Sequence, residues 1–417
     1  MLLLQVNRFA ILTVFGAICS LSLLAQGLPD PVFSTVPFER WLTETNQTHF
    51  RWTVRVPEPG LSSHQRLAAR VEVEVDGAEL AVRRGRGDFR VFVQIDDKAG
   101  LAFQTHRDFD LEGLREGIKG NNVVFTQPFF VVPGDYRVAV AAFDTATGEH
   151  SAVKRNLRVS PLKKDPLPGM WRDLPAIEFI EPESDSGRWY LPSIAGRLHL
   201  PVKTRHPIDV ALLVNLTPPE RSSGSTRVWN RSLGVLLPAT KVLSQADWSD
   251  ATFNLELLDL ARRRVTFRQE NLRALDWTKA GNALDGVNPG IIDVKSLADR
   301  RHNADFFLDR VGARIGAEKN RRPRVVIVLS GLVFFEPGVE MHPIATAPRS
   351  DVLVIYIRYR TQPPVSLNSE GRRRGYGPEA DELEPLLKPL EPWLFDVATP
   401  AQFRTALAAI MARIAEL

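Results

Sequence analysis

The chain has 417 residues, 44% of them hydrophobic and 24% charged, with a formal net charge of +4. That length exceeds one ordinary core and that apolar fraction excludes general disorder, so two domains are expected. The single cysteine, Cys19, lies in the first 25 residues, which leaves the rest of the chain without a disulfide, a zinc–thiolate site or a thiol nucleophile.

Residues 1–25 carry one charged side chain, Arg8, before the apolar run from Phe9 to Ala25. This predicts a secretory signal peptide cut after Ala25 and an exported protein, periplasmic or extracellular. A retained anchor is the competing reading, and it is the only route to membrane contact. Residues 26–48 read as a leader or linker.

Residues 49–160 hold short β-rich segments such as LAARVEVEVDG, FRVFVQIDD and YRVAVAAFDTATG, separated by Gly, Pro and Asp turns. Their regular spacing predicts an all-β sandwich of immunoglobulin-like form. The stretch PGDYRVAVAAFDTATGEHSAVKRNLRV predicts a hairpin turning at Asp144–Gly148. Residues 161–205 combine proline with charge and read as a linker with lead-in strands.

From 206 to 417 the texture changes. PIDVALLVNL, RPRVVIVLSG and DVLVIYIRYR are almost continuously apolar, and helical patterns stand between them, closing with PAQFRTALAAIMARI. FNLELLDLARRRVTFRQ reads as a strand, a basic turn and an edge strand. Such runs predict an α/β layer fold with a mostly parallel central sheet covered on both faces. Arginine clusters at 83–86, 262–264, 321–324 and 372–374 read as solvated loops or as a dock for an anionic partner. No aromatic-basic module is present, so nucleic acid is not an expected partner.

On DVALLVNLT, FNLELLDLARRRVTFRQ, RVVIVLSG, DVLVIYIRY and the ending LFDVATPAQFRTALAAIMARI, residues 206–417 resemble the von Willebrand factor A family. The chain is similar to exported bacterial proteins that join an immunoglobulin-like module to such a domain. The resemblance implies a Rossmann-like domain whose metal-ion-dependent adhesion site sits at the carboxyl ends of the strands. Carried over by position, that site departs from the family's pattern. Asn215 stands for the first Asp, Thr217 for the first Ser, Pro219 for the second Ser and Gly331 for the central-strand Asp. Asp293, Ser296 and Asp299 lie where a loop Thr is expected. A magnesium ion needs several oxygen donors in octahedral array, and little fixed charge remains to hold it. The site therefore reads as vestigial, with no metal or other cofactor.

No Gly-x-Ser-x-Gly, His-Glu-x-x-His or phosphate-loop motif occurs, and His206, His302 and His342 are scattered without mutual spacing. The expected function is non-catalytic protein–protein interaction or scaffolding with an unidentified protein partner. Glu220, Ser330, Phe334, Phe335 and Glu336 form the candidate partner-binding rim, and the charged excursion 361–393 is a further candidate. A divalent-cation-dependent adhesion module with non-standard ligands is the alternative; a hydrolase of envelope polymers is the remote one.

Overall fold

The structure, a computed structural model, describes residues 29–44, 49–85, 87–112, 120–181, 190–217, 226–248, 251–271, 273–285, 298–316, 322–335, 338–345, 349–360 and 381–417. The signal-peptide reading therefore lies outside the described residues, as do Arg86, Arg321 and Arg372–Arg374 and much of the 361–393 excursion. The chain divides into two compact units, and the division is not a single cut: residues 61–67, 163–174 and 180–417 form the second unit, while 68–162 and 175–179 join the N-terminal residues in the first. No helix among the described residues is long and apolar enough to cross a membrane.

The first unit is built from β1 (Trp52–Arg55), β2 (Gly60–Leu61), β3 (Leu67–Asp76), β4 (Asp88–Asp96), β5 (Ala102–Asp110), β6 (Asn122–Val131), β7 (Gly134–Asp144), β8 (His150–Val159) and β9 (Ile177–Phe179). They form one sheet in the order β5-β4-β7-β8 and another in the order β1-β3-β6-β9, with β2 on β3. The alternation in β3 is legible residue by residue. Val71, Val73 and Val75 are buried, and the intervening Glu72 and Glu74 pair with Arg55 on the wet face. Rings join the two sheets: Phe125 of β6 stacks on Phe89 of β4 with centroids 5.4 Å apart and meets Phe109 of β5 at 4.2 Å. The β6–β7 turn is pinned by the Tyr136 hydroxyl, which donates to the Val132 carbonyl at 2.9 Å; burial pushes that phenol up to about 12.

Residues 31–42, read from sequence as leader or linker, instead pack on the outer face of the β5-β4-β7-β8 sheet. Phe33, Phe38 and Trp41 are buried there against Phe92, Ala139 and Ala141. Asp30 caps the first turn through the Val32 N–H and pairs with His106 at 2.5 Å. Trp41 stacks on His150 with ring centroids 4.5 Å apart.

The second unit contains β10 (Leu200–Val202), β11 (Asp209–Asn215), β12 (Ala246–Trp248), β13 (Thr252–Asp259), β14 (Arg264–Gln269), β15 (Arg324–Gly331), β16 (Val352–Tyr359) and β17 (Trp393–Val397). Its main helices are α1 (Thr226–Ser244), α2 (Trp277–Asp285), α3 (Asn303–Ile315), α4 (Leu383–Leu387) and α5 (Pro400–Ile414). The large sheet runs β14-β13-β11-β15-β16-β17, and β10 pairs with β12 in a small sheet of their own. Side chains of α1 and α5 cover one face of the large sheet and those of α3 and α4 the other.

The expected fold class, an immunoglobulin-like sandwich followed by a Rossmann-like von Willebrand A-type domain with a mostly parallel sheet, is corrected here. The chain is built mostly of antiparallel sheets with few helices, and the sheet of the second unit is mixed. Its inner strands pair in parallel, but β14 returns along β13 antiparallel. The reversal comes from the turn at 260–263, where Arg263 takes φ 46° and Asp259 accepts from the Arg262 backbone N–H at 3.2 Å. A strand that returns through so short a turn can only be antiparallel. The continuous apolar runs of β11, β15 and β16 do sit beside parallel neighbours, but such runs report burial on both faces and carry no information about the direction of strands outside them. After β15, residues 332–335 and 338–345 run on without a helix.

One glycine in this unit is required by contact. A Cβ at Gly281 in α2 would lie 1.9 Å from the hydroxyl of the buried Tyr190. Gly281→Ala is expected to destabilise the fold by about 1–3 kcal/mol, the usual cost of overpacking. Urea denaturation checks this, and an unchanged midpoint would mean that Tyr190 has room to move.

Candidate functional site

The predicted site residues converge on the carboxyl edge of the mixed sheet, where β11 and β15 end side by side. Asn215 is the last residue of β11 and is 1% exposed. Its Oδ1 accepts from the Thr217 backbone N–H at 2.9 Å, and its Nδ2 donates to Ser330 Oγ at 3.0 Å. Thr217 Oγ1 in turn accepts from the Leu260 N–H at 2.7 Å, which ties the end of β11 to the turn after β13. Ser330, fully buried, donates to the Gly331 carbonyl at 2.8 Å. A Cβ on Gly331 would lie 3.2 Å from Ser232 Oγ of α1, so any larger side chain there would need that serine to shift.

The network continues through residues that the sequence reading passed over. Tyr356 of β16 shares a hydrogen bond with Ser330, and its hydroxyl donates to Asp381 Oδ2 at 2.8 Å. Burial, reinforced by the neighbouring Asp381 charge, holds this phenol well above its usual range, so it stays protonated and serves as a donor. Asp381 is also buried, and its Oδ1 accepts from the Val333 N–H at 3.0 Å. Arg358 of β16, 3% exposed, reaches Asp381 at 3.4 Å, Glu384 at 2.6 Å and both oxygens of Asp396 at 2.6 and 3.0 Å. Burial opposes its charge, but these carboxylates outweigh burial and raise its pKa further. Asp396 also accepts from Nε and Nη2 of Arg360, at 2.9 and 3.1 Å. Burial works against ionising that carboxyl, yet the two guanidinium groups hold it below the usual range. Two tyrosines and two arginines interrupting DVLVIYIRYR were the available signal, because a polar side chain on a buried strand must find partners.

This arrangement stiffens the strand ends and leaves Asn215 with both polar atoms of its amide engaged. Asn215→Ala would remove a partner from Ser330 and from the Thr217 N–H together. A loss of about 1–3 kcal/mol is expected, the cost of leaving buried polar groups unmatched; chemical denaturation reads it, and unchanged stability would show that the amide is not engaged.

Of the candidate rim, Ser330 is part of the network, while Phe334 and Phe335 are 4% and 5% exposed and so present no exposed aromatic surface. Phe335 packs with Val333 and Leu387 in the core under α3 and α4, and its N–H donates to Glu382. Pro219, Glu220 and Glu336, with Asp293 and Ser296, lie outside the described residues. Asp299 takes the Arg263 guanidinium at 3.2 Å, and Arg262 and Arg264 pair with Asp259 at 2.9 and 3.4 Å, so this basic cluster is internally matched. His302 and His342 both face Asp305 at 3.3 Å. Among the described residues, no group of three or more His, Cys, Asp or Glu side chains is placed to share a metal ion.

No family model matches the chain, and no curated protein matches it. Among solved structures, it is similar over 28% of its length to the putative ApaA protein from Bordetella pertussis, all of which is covered, at 14% identity and a TM-score of 0.18. A Northeast Structural Genomics Consortium target, SoR45, aligns with 28% of this chain and 89% of its own at 12% identity and a TM-score of 0.16. Likeness this slight carries no argument about fold or function.

Proposed function

We propose that the chain is an exported, non-catalytic protein that binds or scaffolds another protein, works without a metal ion, and touches a membrane at most through its leader. The observation that carries this reading is the state of the carboxyl edge of the mixed sheet. Sheets of this build bind small ligands at that edge, and here Asn215, Ser330, Tyr356 and Asp381 are buried and bonded to one another. Groups satisfied in this way are poor candidates for nucleophile, base or ion ligand, because each new bond would first break an existing one. The apolar run at Phe9–Ala25 supports export.

The test has two arms on the full chain. Thermal unfolding in chelator and then in magnesium, manganese or calcium is expected to give one unchanged midpoint. An ion present at a hundred times its dissociation constant would add about 2.7 kcal/mol, so an upward shift that Asn215→Ala abolishes would overturn the metal-independent reading. Chemical cross-linking in the cell envelope is expected to yield a discrete protein adduct. Release of soluble fragments from envelope polymers by the purified chain would overturn the non-catalytic reading.

A further inference from the structure

The sheet order β5-β4-β7-β8 leaves β8 with a single neighbour, so one side of its backbone carries N–H and C=O groups that no strand takes up. Its pairing with β7 runs pair for pair from Gly134–Val159 to Phe143–His150, and no proline interrupts HSAVKRNLRV. The free side is therefore neither bulged nor blocked. Its first residues are occupied: the His49 and Phe50 N–H groups both donate to Ser151 Oγ, at 2.8 and 3.0 Å. Further along, Lys154, Arg155, Asn156 and Arg158 are all exposed.

The chemistry of this stretch narrows the partner. Alternation puts Lys154, Asn156 and Arg158 on the face that carries Ala152 and the 31–42 segment, and Arg155 on the other with the buried Leu157 and Val159. Every charged side chain here is basic. Among the described residues neither Lys154 nor Arg155 has an ion-pair partner. Arg158 meets Asp135 only at 3.9 Å, with the two side chains 87% and 71% exposed, a pair that water screens. On β7, Arg137 opposite Asn156 is already matched by Asp96 at 3.2 Å. Residues 45–48, the undescribed ones that lead from the 31–42 segment to β1, carry no charge. Two copies of β8 laid edge to edge would set basic side chains against one another, which is unfavourable. Basic residues on an edge strand often serve only to prevent such pairing; here they leave an unbroken backbone edge open to a strand of opposite sign.

We propose that an extended acidic segment of the protein partner adds to this sheet as a strand beside Lys154–Val159. The inference rests on the protein-binding reading and names its surface. Main-chain bonds would hold the segment, and carboxylates opposite Lys154, Arg155 and Arg158 would select it.

The probe is a blocked peptide, Thr-Glu-Val-Ser-Glu-Glu-Thr, which presents that pattern antiparallel to β8. Calorimetric titration of the full chain with up to about 1 mM peptide detects even weak association, and hydrogen exchange locates it. Binding is expected to slow exchange within 154–159. The combined Lys154→Glu, Arg155→Glu and Arg158→Glu changes alter exposed residues, should keep the unfolding midpoint, and should weaken binding about tenfold or more. A probe N-methylated at alternate amides keeps its charges but cannot pair with a strand, and should not bind the unaltered chain. The proposal is overturned if the probe does not bind, if the triple change or N-methylation leaves binding unaltered, or if a probe with Lys in place of Glu binds equally. In the envelope cross-linking test, an adduct that survives the triple change would remove this surface and leave the protein-binding reading standing; no adduct with the unaltered chain would overturn both.

Discussion

Arg404→Ala should lower the stability of the second unit by about 3–5 kcal/mol, the cost of breaking a buried ion pair by removing one partner. Arg404 sits on α5, is 1% exposed, and grips Asp165 with two bonds of 2.6 and 2.9 Å. The same guanidinium donates to the Leu167 carbonyl at 2.8 Å and lies 4.7 Å over the Trp171 ring, whose indole N–H also donates to Asp165 at 2.7 Å. One side chain therefore anchors the 163–174 segment to the closing helix. Burial alone would raise the Asp165 pKa, but the bonds from Arg404, Leu167 and Trp171 prevail and lower it from 3.8. Because the folded value is depressed, this contribution is complete above the unfolded pKa and is lost as pH falls through the folded one. The penalty for Arg404→Ala should accordingly be full at neutral pH and shrink in strong acid. Urea denaturation at several pH values reads both effects. A neutral-pH loss below about 1 kcal/mol, the range of a solvent-screened surface pair, would refute the anchoring role.

The second large effect is a loss of stability on mild acidification, and His64 is its source. This imidazole is held in the second unit, its Nε2 donating to the Pro192 carbonyl at 2.8 Å. Burial lowers its pKa from 6.5 to about 4, outweighing the backbone bonds at Pro192 and Ser193 that favour the charged form. The unfolded chain thus takes up a proton at a pH where the folded chain does not. Stability is complete above pH 6.5, falls as the pH drops, and levels off below about 4. Between pH 6.5 and 5 the expected loss is roughly 2 kcal/mol, and this window precedes most carboxylate titration. His64→Gln keeps a donor for Pro192 and removes the titration, so its stability profile over the same window should be nearly flat. Equal slopes for the two proteins would assign the acid sensitivity elsewhere.

Much of the local structure was legible in the sequence because its causes are local. Alternation in LAARVEVEVD marks which valines of β3 face inward, Asp144–Gly148 carries its own turn chemistry, and Thr399-Pro400 with Gln402 forms the capping box that starts α5. The runs at 209–215, 324–331 and 352–359 announce buried strands by composition alone. The candidate site was only half legible. Asn215 and Thr217 stand out as departures from the pattern of the family that residues 206–417 resemble, but the partner of Asn215 lies 115 residues away, at Ser330, and no period in the sequence encodes that meeting.

Direction and partnership were left to tertiary structure. Side-chain periodicity reports which face of an element is buried, not which neighbour buries it or which way that neighbour runs. Hence Phe334 and Phe335 turned inward to the core of the second unit, and Phe33, Phe38 and Trp41 closed over a sheet from a segment that resembled a leader. Residues 61–67 and 163–174 joined the second unit for the same reason: a buried arginine or histidine must be met by specific carbonyls and carboxylates, and only the folded chain brings those groups within reach.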